Sequence, residues 1–389
     1  MTTARIYNTQ FWLVCCSSLL FFASFNMLMP KLPSFLSSLG GGGYKGFIIF
    51  LFTVTALISR PFSGKLADKL GRVPVMMAGC IVCFFCSLVY PFTTTVFWFF
   101  ILRLVHGFST GFTPTGQAAY LSDVIPAARR GEAIGLLGTM GTLGSTIGPA
   151  FGSLIAESYG LQAMFFCSSA LALMSTLILL GIRETLFEKH PFSRGLIKVK
   201  RSDLFEPRVL VPCIVMLMSV YAYGAMYTLL PDFAEYLKFK NTGILLSYLA
   251  AASLFVRLVA GRASDRYGRK PVLCVATFII AIALLVTGFA HTKLQLILGV
   301  VMYGFAYGAV SPTLLAWATD LSDEHHKGRG LASLYIFMEM GIGIGALMSG
   351  WVYGNDPSNF ILTFSICSAL AAASFVYLLF NRPVVKVSA

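Results

Sequence analysis

The sequence predicts an all-α membrane protein whose twelve transmembrane helices form two parallel-repeat six-helix bundles. Three observations predict it: composition, the length of the apolar runs, and a set of residues that recurs at one fixed offset. Of 389 residues, 57% are hydrophobic and only 12% charged, against roughly 25% charged in an ordinary soluble domain. A water-soluble fold of this size has no interior large enough to hide that much apolar surface, so the solvent for most of the chain is lipid.

A bilayer core of about 30 Å needs about 20 apolar residues at 1.5 Å rise per residue. Twelve runs of that kind, bounded by charge, Gly or Pro, lie at 11–31, 46–64, 74–91, 96–120, 133–156, 162–182, 209–230, 243–262, 271–290, 294–319, 331–354 and 358–380. The first, from Phe11, is too long for a cleavable leader and lacks a small-residue cleavage site, so it is expected to be the first span. The long polar segment between the sixth and seventh runs carries Arg183, Lys189, Arg194, Lys198, Lys200, Arg201 and Arg208. It divides the chain into an expected N-terminal bundle (1–182), a cytoplasmic linker (183–208) and a C-terminal bundle (209–389).

Lys and Arg sit unevenly in alternate loops: twenty-one on the side of the termini and five on the other, with Arg60, Arg103 and Arg257 inside runs. Positive loops stay in the cytoplasm. Both termini of this multi-pass protein are therefore expected there, in a cell (inner) membrane. The same dispersal of the net charge of +13 into short clusters between apolar runs argues against a nucleic-acid partner. The nine cysteines lie mostly inside apolar runs without His at metal spacing, and read as small buried hydrophobes. No metal or cofactor is expected.

The halves repeat each other. Gly64, Asp68, Gly71 and Arg72 recur 197 positions later as Gly261, Asp265, Gly268 and Arg269; Arg60 recurs as Arg257, Gly107 as Gly304, Gly111 as Gly308 and Asp123 as Asp320. Matches in one register across several spans read as a duplicated six-helix unit. An even number of spans per unit points the two copies the same way in the membrane, a parallel repeat.

The segment Gly64 to Arg72, with its partner Gly261 to Arg269, resembles the signature of the major facilitator superfamily between its second and third helices. The resemblance extends over nearly the whole chain. It implies a cytoplasmic gate motif in which Arg72 pairs with Asp123 and Arg269 with Asp320, while Asp68 and Asp265 face helix starts in the opposite half. Glycines suit tight turns and close helix approach, and a carboxylate suits a helix N-terminus. A merely topogenic positive loop is the competing reading.

In the fourth run, Arg103-Leu104-Val105-His106-Gly107 and Gly111 resemble the family's second motif, with His106 where a polar residue, often Gln, is common. A guanidinium inside lipid must face a cavity or a partner. The resemblance implies a part for Arg103 in proton handling or substrate binding, and a structural Arg held by backbone carbonyls is the alternative. His106 is open to two readings, a titrating group or a non-titrating polar packer. In the fifth run, Gly141, Gly144, Gly148, Pro149 and Gly152 resemble the glycine–proline antiporter motif of exporters, with Ser153 where a further Gly is common. Glycines four apart present a flat face for close helix contact, and Pro149 is expected to bend the helix. The eleventh run carries its own series, Gly341, Gly343, Gly345 and Gly350.

Glu339 is the only acid well inside a run. An intramembrane carboxylate is a candidate proton carrier, with a salt bridge to Arg257 as the alternative. Glu157 and Asp232, at run ends, are expected to be solvated. The family's exporters often carry an acid in the outer half of the first helix, where this chain has Asn26. That departure moves the expected proton coupling to Glu339, with His106 and Arg103 beside it.

Family architecture implies a substrate cavity near the midplane between the halves. Its candidate lining residues are Phe22, Asn26, Arg103, His106, Tyr223, Tyr227, Tyr303 and Tyr307. Tyrosines four apart share a helix face and join a flat apolar ring to a polar tip; packing between helices is the bland reading of each ring. The resemblance implies secondary active transport by alternating access, either export of a small, partly apolar molecule by proton antiport or uptake of a metabolite such as a sugar or organic acid. A membrane enzyme is not expected, since no set of nucleophile, base and orienter and no phosphate-cradling loop is present. The expected partners are a small-molecule substrate and membrane lipid, and the chain is expected to be a monomer.

Overall fold

The computed structural model describes residues 7–126, 130–186, 205–322 and 327–381. Thirteen α-helices carry the described residues, with no strand among them: α1 Thr9–Leu28, the short α2 Leu32–Ser38, α3 Phe47–Lys69, α4 Arg72–Val89, α5 Val96–Val124, α6 Arg130–Tyr159, α7 Leu161–Leu180, α8 Leu210–Tyr236, α9 Ile244–Tyr267, α10 Arg269–Gly288, α11 Lys293–Leu321, α12 Lys327–Tyr353 and α13 Phe360–Phe380. The twelve long helices, α1 and α3 to α13, fall one to one on the twelve apolar runs. Most of the polar linker, 187–204, lies outside the described residues, as does Arg5.

Among the described residues ten helices are long and apolar enough to cross a membrane by length and composition alone, and α9 adds a shorter apolar stretch, Ile244–Arg257. The α6 sequence spends its positions on Gly, Ser and Thr, which dilutes hydropathy without breaking the helix. Pro149 lies inside α6, which continues through it to Tyr159.

Helix ends are set locally, and the repeat copies the devices. Thr95 caps α5 by accepting from the Trp98 N–H at 3.3 Å, and 197 positions on Thr292 caps α11 with a reciprocal bond from Gln295. Between α3 and α4 the chain turns at Gly71 (φ +129°), and between α9 and α10 at Gly268 (φ +90°), conformations open to glycine but strained for other residues.

The chain separates into two compact units, Met1–Gly41 with Val54–Val199, and Gly42–Thr53 with Lys200–Ala389. In the first, α1 packs on α6 and α7, and α4 on α5 and α7; in the second, α8 packs on α12 and α13, α11 on α9 and α10, and α10 on α13. The segment before and at the start of α3 belongs to the second unit because it meets α12 almost without side chains: a Cβ on Gly46 would lie 2.6 Å from the Ala346 carbonyl oxygen, and one on Gly350 would lie 2.7 Å from the Gly46 nitrogen.

Glycine ladders govern the tightest seams. A Cβ on Gly144, Gly148 or Gly152 of α6 would lie 2.3, 2.6 or 2.1 Å from the carbonyl oxygens of Leu19, Ala23 and Met27, so these backbones touch along one face of α1. In the second unit Gly341 and Gly345 of α12 meet Leu217 and Tyr221 of α8 at 2.5 and 2.0 Å in the same sense, and Gly224 of α8 meets Ile342 at 2.1 Å. Serines bind α1 to α7: Ser17 and Ser175 are 2.8 Å apart, and the Ser24 hydroxyl donates to the Ser168 carbonyl at 2.7 Å.

Candidate functional site

The charged motif closes within each unit. In the first, Arg72 opens α4; its Nη1 donates to Asp68 at 2.7 Å and its Nε to Asp123, on α5, at 3.0 Å. In the second, Arg269 Nε donates to Asp320 at 3.0 Å and Nη1 donates to Asp265 and, at 2.7 Å, to Ser264. Only two of the four glycines in the paired motif are turn glycines. Gly64 and Gly261 lie inside α3 and α9, and the chain reverses at Gly71 and Gly268 instead.

A carboxylate that sequence reasoning did not single out supports the first motif. Glu184, just after α7, accepts from the backbone N–H groups of Arg72 (3.0 Å) and Val73 (3.1 Å) and from those of Thr185 and Leu186 (2.9 and 3.0 Å). It thereby satisfies donors that the first turn of α4 leaves unpaired, in the orientation the helix dipole favours. Gly71 makes the room: a Cβ there would lie 2.3 Å from the Glu184 carboxylate, whereas one on Gly268 would meet nothing closer than 3.6 Å. Asp123 also accepts from the Thr185 hydroxyl at 2.7 Å. The position 197 residues beyond Glu184 is Asn381, whose amide instead donates to the Tyr377 carbonyl of its own helix.

Inside the first unit, Arg103 and His106 of α5 are fully buried, as is Tyr90 in the turn that follows α4. Arg103 Nη1 donates to the Tyr90 hydroxyl at 3.2 Å; that hydroxyl is 3.3 Å from His106 Nδ1, and His106 Nε2 is 3.4 Å from the Cys83 sulfur. Phe165 stacks on Tyr90 at 5.3 Å and Phe25 meets the imidazole edge-on at 5.9 Å. Both motif residues are thus joined through a tyrosine, with a cysteine beyond the imidazole, and neither of these two has a site role in the sequence reading. The signal was the cost of burying a guanidinium, which demands polar neighbours within reach.

Asn26 does not stand alone in α1. It is 3% exposed, and its amide donates to the Phe22 carbonyl at 2.8 Å and to Ser145 of α6 at 3.0 Å, across the glycine ladder. Phe22 packs where Gly141 leaves space, 2.9 Å from the site of a Cβ. Ser153, in the place of a further glycine, is fully buried and donates to Glu157 at 3.5 Å.

Two acids expected to be solvated are paired. Glu157 accepts from Lys31 at 2.9 Å. Asp232 is only 9% exposed and binds Lys45, which also lies over the Tyr353 ring. The sequence could not anticipate this, because Lys45 reaches Asp232 from a segment nearly two hundred residues away. The cysteines are free; Cys15, Cys80, Cys83, Cys86, Cys213 and Cys367 are buried, while Cys16 is exposed, contrary to expectation, because it lies on the other face of α1 from Cys15.

In the second unit four tyrosines form one stack. Tyr223 and Tyr227 of α8 are 4.5 Å apart between ring centroids, Tyr223 and Tyr307 of α11 are 4.7 Å apart and nearly parallel, and Tyr307 and Tyr303 are stacked at 5.8 Å. The sequence pairs each couple on its own helix; the structure joins the couples across helices. Glu339 of α12 is 6% exposed. The helix that carries it, α12, packs on α8 and on α11, the two helices of the stack. Among the described residues no group of three or more His, Cys, Asp or Glu could hold a metal ion.

The family model described as Major Facilitator Superfamily matches residues 14–262 and 213–389. The chain is 28% identical over 345 residues to the multi-drug resistance efflux pump PmrA of Streptococcus pneumoniae, covering 85% of this chain and 86% of that one. It is 27% identical over 383 residues to the multidrug resistance protein MdtG of Salmonella typhi, covering 95% and 93%. Its fold is similar to that of the nucleoside transporter NupG (D323A mutant), with TM-score 0.78 at 14% identity over 96% of this chain and 100% of that one. With family models spanning nearly its full length and twelve long helices on twelve apolar runs, the chain belongs to the Major Facilitator Superfamily of multi-pass membrane transporters and is not an enzyme.

Proposed function

We propose that this transporter exports small, partly apolar molecules bearing flat rings across the cell (inner) membrane by alternating access, driven by inward proton flow. The observation that carries the reading is the four-tyrosine stack, Tyr223, Tyr227, Tyr303 and Tyr307, which offers ring faces and hydroxyl tips in one cluster. Likeness to proteins named as multidrug efflux pumps supports export. Glu339, nearly buried in α12, which packs on both helices of the stack, is the proposed proton carrier, since an intramembrane carboxylate is a functional candidate by default. Arg72 with Asp68 and Asp123, and Arg269 with Asp265 and Asp320, are the proposed cytoplasmic gate. The distribution of Lys and Arg supports termini in the cytoplasm, and the chain is proposed to work as a monomer.

Proteoliposomes with an imposed pH gradient test the reading directly. A planar aromatic dye should move against its own gradient when protons run the other way, and Glu339→Gln should abolish that drive while leaving the protein in the membrane. Movement that ignores the pH gradient in the unaltered protein would remove proton antiport, and binding without movement would remove transport.

A further inference from the structure

The hydroxyl of Tyr90 lies between two groups of unequal character. A guanidinium can only donate, whereas each nitrogen of a neutral imidazole is either donor or acceptor. Arg103 Nη1 is 3.2 Å from the Tyr90 oxygen, and the same oxygen is 3.3 Å from His106 Nδ1. All three side chains, and Cys83 beyond them, are at 0% exposure. In such a place the phenolic proton needs an acceptor. With its oxygen loaded by Arg103, Tyr90 meets that need by donating to Nδ1. The ring proton then sits on Nε2 and points at Cys83 Sγ, 3.4 Å away. The thiol faces Ser24 Oγ at 3.6 Å, and Ser24 donates to the Ser168 carbonyl at 2.7 Å. With that assignment every donor in the chain from Arg103 to Ser168 points the same way.

We infer that Tyr90 is a positioning residue that fixes His106 as its Nε2–H tautomer, so that the imidazole orients Arg103 and carries no coupling proton. A second ring proton would set the Nδ1–H and Arg103 on one oxygen and force the hydroxyl to turn away from both. The titratable and charged groups that face the ring include Arg103 on its own helix and Tyr90 and Cys83 from α4 and its following turn. From α1 and α7 come Ser24, Phe25, Ser168 and Phe165. The tautomer follows from this geometry alone; the link to coupling rests on the proton-driven reading above.

The test uses the full chain in lipid nanodiscs with His190, His291, His325 and His326 replaced by Gln, leaving His106 as the one source of histidine ¹⁵N signal. The expected spectrum has a bare Nδ1 and a protonated Nε2 throughout the range from about pH 5 to 8. Tyr90→Phe in the same background should give a mixture of tautomers. An Nδ1–H tautomer or an imidazolium within that range would overturn the inference, and this is read without any variant of the cluster itself. In proteoliposomes His106→Gln, which offers one acceptor and one donor but cannot titrate, should keep the pH dependence of transport with its rate lowered about fivefold, the size of one hydrogen bond. Loss of pH dependence in a folded His106→Gln protein would also overturn it. Failure of the unaltered protein to respond to a pH gradient would sink the proton-driven reading and leave the tautomer to be decided by the spectrum.

Discussion

Tyr223 is partly exposed while Tyr227, Tyr303 and Tyr307 are buried. It is therefore the ring of the stack best able to meet a solute. Tyr223→Ala should raise the KM for a planar aromatic substrate by between about two- and tenfold, the range of one ring contact, while Tyr223→Phe should change it less than about twofold. Initial-rate dye transport in proteoliposomes measures both, and equal effects of the two substitutions would show that the hydroxyl matters more than the face. At this scale the sequence was legible in part. Spacing of four residues paired the tyrosines on each helix, but nothing in a single sequence says that Tyr223 of α8 lies 4.7 Å from Tyr307 of α11. Tyr90 and Cys83 were hidden for a related reason: one lies in the turn that closes a span and the other reads as an ordinary apolar filler, and only the burial of Arg103 gives them a task.

Whole helices were far more legible than their contacts. All twelve long elements followed from apolar length, because lipid forces every spanning backbone to satisfy its own hydrogen bonds within the segment. The glycine ladder of α6 resembles an exporter's motif, and α12 carries the same close-packing device in the second unit. Gly152→Ala and Gly345→Ala should each destabilise by about 1–3 kcal/mol, because the added methyl meets a carbonyl oxygen that belongs to a helix backbone and cannot rotate aside. Gly135→Ala, also in α6 but with nothing within 4 Å of its Cβ site, should be neutral or stabilise by up to about 1 kcal/mol through lower chain entropy. Thermal unfolding of the three variants in one detergent checks the order. Glu184→Ala should cost about 1–2 kcal/mol by the same measurement, since it uncaps α4, whereas Asn381→Ala should cost less because that amide caps no neighbouring helix.

For the molecule as a whole, the offset of 197 residues was the most informative signal. It related Arg72 and Asp123 to Arg269 and Asp320, and both pairs are made at 3.0 Å. It could not disclose Glu184, because the matching position 197 residues on is Asn381 and a self-comparison shows no carboxylate there. Under the gate proposal, Asp68→Asn should shift the balance between inward- and outward-open states, read as altered labelling of cysteines introduced on either side of the membrane. Its effect on stability should stay below about 1 kcal/mol, because Asp68 is 68% exposed and its ion pair with Arg72 is screened by water. A balance like that of the unaltered protein would leave the motif as a topogenic loop. A fluorescent protein fused to the C-terminus should mature and fluoresce, as it does only in the cytoplasm under the proposed orientation.

In both units the closest helix pairs are keyed by backbone: carbonyl oxygens of α1 or α8 rest against bare α-carbons of α6 or α12. A seam of that kind holds few torsions that could relax, and a side chain that crosses it, Asn26 to Ser145, is buried within it. Sliding by one position would drive a branched or bulky residue into a peptide group. Each pair must consequently travel as a single rigid piece, and whatever shape change a working cycle demands has to be absorbed along seams where longer side chains leave slack.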